Sequence, residues 1–199
     1  MHPSTPARPI TVTVAAVLHW LIAAAFLSIP ALGLIYGADV QTAAEAEVVR
    51  QGLPPSVLSD NQISFRETGV AIAVPVVVAL ALVALGLAVR SGKRPARIVA
   101  WIVMPLVLLG NIAIIASNAT AVRGLQDLFA ASGDANLRRL DAQGLFDAAM
   151  SAYPGWLPAL TTARNIIVIG GASLIIVLLA LRSARPHFRR ADAVRLQEA

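Results

Sequence analysis

The sequence predicts an all-α fold, a polytopic membrane protein built as a four-transmembrane-helix bundle with a small extracytoplasmic helical cap. Three observations carry that prediction. Residues 9–38, 68–89, 98–122 and 165–181 contain no Asp, Glu, Lys or Arg, and each stretch is dominated by Val, Ala, Leu and Ile. A hydrocarbon core of roughly 30 Å is crossed by about 20 helical residues at about 1.5 Å each, so four such runs read as four spans. The chain is 57% hydrophobic and 14% charged, against about 25% charged in soluble domains. Its basic residues also cluster beside the apolar runs, where anionic lipid head groups would meet them.

The spans are expected at about 11–35, 68–89, 98–118 and 163–181 within one membrane domain, 1–199. Pro30 followed by Ala31-Leu32-Gly33 loosely imitates a signal-peptide cleavage site. The apolar run is longer than a signal core, however, and only Arg8 precedes it, so the first span is expected to stay uncleaved. Pro75 and Pro105 each remove a backbone donor and predict kinks in spans two and three. Gly69, Gly86, Gly110, Gly170 and Gly171 suit close helix approach. The fourth run is the shortest, and Arg164 and Arg182 are expected to flank it with their stems in lipid and their heads in water.

The charge distribution orients the chain. Segments 1–9, 90–97 and 182–199 hold ten bases in 35 residues: Arg8, Arg90, Lys93, Arg94, Arg97, Arg182, Arg185, Arg189, Arg190 and Arg195. Segments 39–67 and 123–164 hold six bases and nine of the eleven acids in 71 residues. Basic flanks stay on the cytoplasmic side. The expectation is therefore a multi-pass protein of a bacterial plasma membrane with cytoplasmic segments 1–10, 90–97 and 182–199, both termini inside, and extracytoplasmic segments 37–67 and 119–162. Tyr36, Tyr153 and Trp156 then fall at the outer boundary and Trp101 at the inner one, while Trp20 lies well inside span one.

Neither outward segment reads as coil. Thr42-Ala43-Ala44-Glu45 is a capping box that predicts a short helix to Gln51, closed by Gly52 and Pro54-Pro55. Ser59-Asp60-Asn61-Gln62 predicts a second cap, with its helix running through Phe65 and Arg66 into span two. Val122, Leu125, Leu128 and Phe129 give an amphipathic pattern broken at Ser132-Gly133. Asp141 predicts the cap of a helix bearing Leu145, Phe146 and Met150, and Arg138 and Asp141 are spaced to pair on the surface. The apolar faces are expected to form a cap over the outer mouth of the bundle or to dock a partner.

Much chemistry is excluded. There is no cysteine, which removes disulfides, thiolate nucleophiles and thiolate metal sites. His2, His19 and His187 are not at metal-ligand spacing, no phosphate-binding glycine loop follows a strand, and no nucleophile–base pair is visible. No basic stripe with interleaved aromatics marks a nucleic-acid surface. Neither catalysis nor a bound cofactor or metal is expected. Two groups of candidate residues remain. His19 and Asn111 are intramembrane polar residues, costly in lipid and expected to bond to backbone or to each other; Ser28 and Ser173 are further polar residues of the spans. Arg90, Lys93, Arg94 and Arg97, in the tight basic turn between spans two and three, are candidate contacts for anionic lipid.

Leu18-His19-Trp20-Leu21-Ile22-Ala23, followed by Ala31-Leu32-Gly33-Leu34, resembles the opening helix of bacterial cytochrome b561, a four-span haem protein. That family's other ligand histidines have no counterpart in spans two to four. Arg8-Pro9-Ile10-Thr11-Val12-Thr13, Arg94-Pro95-Ala96-Arg97-Ile98-Val99-Ala100-Trp101 and Pro186-His187-Phe188-Arg189-Arg190 together resemble the uncharacterised four-span integral membrane proteins common in actinobacteria, a similarity that implies topology and no activity. The expected function is a non-catalytic accessory, scaffold or sensory subunit engaging another membrane or envelope protein or a second copy of itself. The alternative is a small-solute transport or permeation component.

Overall fold

The computed structural model describes residues 9–67, 69–184 and 186–188. Of the residues singled out above, His2, Arg8, Thr68, Arg185, Arg189, Arg190 and Arg195 lie outside the described residues. The described chain is helical, with no strand: α1 (Ile10–Arg50), α2 (Ser56–Asp60), α3 (Val70–Arg90), α4 (Arg94–Ala119), α5 (Ala121–Ala131), α6 (Ala142–Ser151) and α7 (Leu157–Ala180), with short 3-10 turns at Leu137–Arg139 and Arg182–Ala184. Helices α1, α3, α4 and α7 are long and apolar enough to cross a membrane. Pro30, Pro75 and Pro105 lie inside continuous helices.

The residues gather into two compact units. The first takes 1–27, 74–111 and 162–199, so each long helix contributes to it. Its interior is a set of stripes at three- and four-residue spacing: Val12, Ala15, Ile22 and Phe26 of α1; Ala79, Leu82 and Val89 of α3; Ala96, Ala100, Met104 and Val107 of α4; Val168, Ala172, Ile175 and Leu179 of α7. The opposite faces are equally apolar and exposed, as at Leu80 (65%), Leu109 (62%) and Ile166 (67%). A helix apolar on both its packed and its unpacked face is what lipid as solvent permits.

Close helix approach occurs at two of the glycines. Of the five glycines expected at close approaches, Gly86 and Gly171 are there: a Cβ would lie 2.7 Å from Trp20 Nε1 at Gly86 and 3.2 Å from Ile22 Cδ1 at Gly171. Gly110 and Gly170 face open space, and Gly69 sits outside the helices at φ +54°.

The second unit takes 28–73 and 112–161 and has its own core: Val40, Ala44 and Val48 of α1, Leu53, Val57 and Leu58 around α2, Phe129 of α5, Leu137 and Leu140, and Ala142, Leu145 and Ala149 of α6. Two expectations are corrected here. Thr42 does not start a helix; α1 runs unbroken through it, and its Oγ1 donates to Ala38 O, one turn back, at 2.9 Å. The capping box is a sequence pattern inside a helix already nucleated and extended by its upstream turns. Nor does a helix run from Asp60 into α3. The turn α2 ends at Asp60, and Ser64–Glu67 has no helical structure. Phe65 N donates instead to Gln41 Oε1 at 2.9 Å.

The helix ends themselves follow the expected chemistry. After α1, Gly52 N bonds Val49 O and Leu53 N bonds Val48 O, a Schellman pair with Gly52 at φ +77° and Leu53 buried. Gly92 closes α3 in the same way. The third such closure, after α2, places Gln62 rather than glycine at φ +56°, with Gln62 N on Ser59 O and Ile63 N on Leu58 O. A side chain in left-handed backbone is disfavoured by about 1–2 kcal/mol, partly offset by the greater freedom glycine has when unfolded. Gln62→Gly is therefore expected to stabilise the second unit by about 0.5–1 kcal/mol, read as a higher unfolding midpoint in detergent. An unchanged or lower midpoint would show that the glutamine side chain supplies something the backbone argument omits.

Helix α6 begins as expected, with Asp141 Oδ1 accepting from Gln143 N at 3.0 Å. That cap replaces the expected Arg138–Asp141 surface pair, and Arg138 reaches Ser132 O at 3.4 Å.

Candidate functional site

In the first unit the sequence picks out two intramembrane polar residues, and the structure adds a third. His19 is fully buried and Nδ1 donates to Ala15 O at 2.7 Å, one turn back on the same helix. Nε2 is left as an inward lone pair with no partner among the described residues. Asn111, also fully buried, does not bond to His19; its Oδ1 accepts from Arg164 Nη1 at 3.1 Å.

Arg164 is therefore not a flanking residue. It is 6% exposed, seven residues inside α7, on the stripe that continues through Val168, Ala172, Ile175 and Leu179. Its guanidinium also reaches Asn165 Oδ1 at 3.1 Å and stands 5.4 Å from the centre of the Phe26 ring. A cation over an aromatic face gains some attraction there. The first unit has no Asp or Glu among its described residues, and Arg164 Nε and Asn111 Nδ2 lack partners among them. The result is a desolvated positive charge held by two amide oxygens and a π face. Extending the α7 stripe backward by four residues would have found it.

The basic turn is only partly free for lipid. Arg97 Nε donates to Leu179 O at 2.9 Å, tying α4 to the end of α7, and its guanidinium stands 5.3 Å from the Trp101 ring and 6.0 Å from the Phe188 ring. The Arg90 guanidinium lies 5.8 Å from the Trp20 ring, which gives that inward tryptophan a partner. Lys93 and Arg94 are exposed. Ser173 is exposed too, so it does not line an interior, and Ser28 is half-buried.

In the second unit the polar groups divide into satisfied and unsatisfied. Glu47, 7% exposed, accepts from Arg50 Nε at 2.6 Å and from Gln51 Nε2 at 2.8 Å. Gln51 Oε1 accepts from Asp141 N at 2.8 Å, which joins the end of α1 to the start of α6. Asp134 accepts from Asn61 Nδ2 at 2.9 Å and from Asn136 N at 2.8 Å, and the Asn61 bond above all holds its carboxyl below the usual range.

Glu67 is the opposite case. Its side chain lies along α1 in the space that a side chain at Gly33 would fill, with Cδ 2.7 Å and Oε2 2.8 Å from the Cβ position there. Partial burial pushes its carboxyl up. Tyr36, one turn along α1 from Gly33, meets Tyr153 edge to face with centroids 6.1 Å apart. The Tyr153 hydroxyl is pushed up by burial first and by the Glu67 charge second.

Among the described residues, no group of three His, Asp or Glu side chains is placed to hold a metal ion. No protein-family model, curated protein or solved structure matches the chain.

Proposed function

We propose that the chain is a non-catalytic multi-pass subunit of a bacterial plasma membrane, with both termini cytoplasmic, that uses its second unit to engage another envelope protein. The observation that carries this reading is the separate core of that unit. Segments that merely connected spans would have no need of twelve buried apolar residues, two helix closures and an inter-helix network at Glu47, Gln51 and Asp141. Ordering such segments costs about 1–2 kcal/mol per residue in backbone entropy, so fixed shape there has to be offset by packing. Leu128, Trp156 and Val49 remain exposed on it, each above 50%. The described residues of the first unit carry six bases and no acid, and the second unit carries nine acids and five bases, which supports the orientation.

Extraction from native membrane in mild detergent, followed by mass spectrometry, tests the reading. A stoichiometric companion protein that is lost on Leu128→Glu or Trp156→Glu is the expected result. A chain that stays alone through purification overturns it.

A second reading, permeation of a small anion, is favoured by one specific observation, the uncompensated Arg164 beside Asn111. Liposomes holding the purified chain and a chloride-sensitive dye would show an efflux that Arg164→Met abolishes. Impermeable liposomes would remove this alternative.

A further inference from the structure

We propose that Glu67, Tyr36 and Tyr153 form a binding site for an organic ammonium group, carried either by a lipid head group or by a small soluble amine. The three residues belong to the second unit, and the proposal holds whether or not that unit also docks a protein.

The geometry starts at a glycine. Gly33 and Tyr36 are spaced i, i+3 on α1 and so share a face. The chain leading into α3 runs along that face. Arg66 Cα, Cβ and Cγ lie 3.8–3.9 Å from where a Cβ at Gly37 would be, and the Glu67 carboxylate lies over Gly33 at 2.7–2.8 Å from the corresponding position there. Only a residue without a side chain admits the carboxylate so close to the helix. Tyr153 packs on Tyr36, its ring 6.1 Å away, edge to face and inclined at 62°. The result is a carboxylate next to an edge-to-face tyrosine pair, close enough for its charge to act on the Tyr153 hydroxyl, with all three residues half-buried and hence still reachable.

The chemistry then selects the ligand. Elsewhere in this unit, partly buried carboxylates are matched by donors: Glu47 by Arg50 and Gln51, and Asp134 by Asn61 and Asn136. No hydrogen bond or ion pair among the described residues reaches the Glu67 carboxylate. A partly desolvated charge without a partner is unfavourable, and an incoming cation relieves it. A metal ion would need several oxygen ligands in place of water, and the site offers one carboxylate and two phenols. An ammonium bearing alkyl groups suits both halves, since the carboxylate neutralises its charge and an adjacent tyrosine ring attracts its polarised C–H or N–H groups. The surplus of acids over bases in this unit, nine to five, favours cations at its surface.

The test uses the full chain purified in a neutral detergent. Tetramethylammonium chloride is titrated at ionic strength held constant with sodium chloride, and binding is read by saturation transfer to the N-methyl protons. In parallel, the chain is reconstituted in nanodiscs of phosphatidylcholine or phosphatidylglycerol, and retained lipid is counted by native mass spectrometry. Saturable tetramethylammonium binding is expected, weakened at least tenfold in Glu67→Gln and at least threefold in Tyr36→Leu. Gly33→Ala, which keeps the carboxylate but moves it off the helix, is expected to weaken binding as well. Selective retention of phosphatidylcholine, lost in Glu67→Gln, identifies a lipid source; tetramethylammonium binding without lipid retention identifies a soluble amine. Each variant is accepted only with an unchanged far-ultraviolet circular dichroism spectrum. No saturable binding by the wild-type chain to either probe overturns the proposal, and so does wild-type affinity in a folded Glu67→Gln chain. A missing companion protein in the co-purification above would leave this result untouched, so the two claims fail separately.

Discussion

Asn111→Leu is expected to destabilise the chain by about 2 kcal/mol, while Arg164→Met is expected to be neutral or stabilising and the double variant to regain most of the loss. Asn111 Oδ1 is one of two oxygens that meet the Arg164 guanidinium, at 3.1 Å, and no carboxylate stands in the described part of the same unit. Hydrogen bonds between membrane helices average about 0.6 kcal/mol, because the separated helices find other partners. A bond to a charged group is stronger, about 1.5–3 kcal/mol, and its loss leaves part of a buried cation unsolvated. The second effect dominates here, since Arg164 is already short of a partner at Nε. Methionine removes the charge altogether and keeps most of the volume on the α7 stripe. Unfolding midpoints in a graded denaturing detergent, assembled as a double-mutant cycle, give the coupling directly, expected between about 1 and 3 kcal/mol. A strongly destabilising Arg164→Met would refute this account, because it would mean that an anion holds the arginine in the folded protein. In that case the permeation reading gains the charge partner it lacks.

The same pair shows what the sequence could and could not convey. Four spans were legible because lipid imposes length and apolarity on any crossing helix, whatever its role. α3 and α4 begin and end within a few residues of the charges and turns that bound them. Which face of each helix turns inward was not legible from hydrophobicity, as Leu80 and Leu82 are equally apolar but only Leu82 is buried. Size was no guide either, since Ala79 and Gly171 are inside while Ala81, Ala84 and Gly170 of the same helices are exposed. Arg164 was misplaced because a charge next to an apolar run looks like a flank; the helix in fact starts seven residues earlier, across Pro158, which suits a first turn. For His19 the sequence left a backbone carbonyl and Asn111 open as partners, and the local one, Ala15 O one turn back, is the one it bonds. The α6 cap at Asp141 was legible for the same local reason. The Thr42 pattern misled because capping residues only cap where a helix is free to begin. Glu67 gave no signal at all, because its setting depends on Gly33, 34 positions earlier, and on Tyr153, 86 positions later.

Gly86→Ala is expected to cost about 1–3 kcal/mol, although alanine is the better helix former by about 1 kcal/mol. The added Cβ would fall 2.7 Å from Trp20 Nε1 and 3.1 Å from both Trp20 Cδ1 and His19 Cβ. The His19 contact is to the root of a side chain, fixed by α1 and by the ring's bond to Ala15 O, so it cannot move without moving the helix. The Trp20 ring has some freedom in principle, but the Arg90 guanidinium stands 5.8 Å from its centre, on the same α3 face as Gly86 one turn on. Overpacking therefore outweighs propensity at this position. At Gly110 and Gly170 no atom lies within 4 Å of an added Cβ, so propensity acts alone and alanine is expected to be neutral or stabilising by up to about 1 kcal/mol. The three single variants, compared by unfolding midpoint in one detergent, separate the two effects. Trp20→Phe supplies the decisive control. It removes the Nε1 atom that an added Cβ would strike, an atom that is buried without a partner. If steric contact is the cause, Trp20→Phe combined with Gly86→Ala recovers a substantial part of the loss. If the double variant is as unstable as the sum of the singles, the cost lies in the α1–α3 backbone spacing set at His19 and not in the indole.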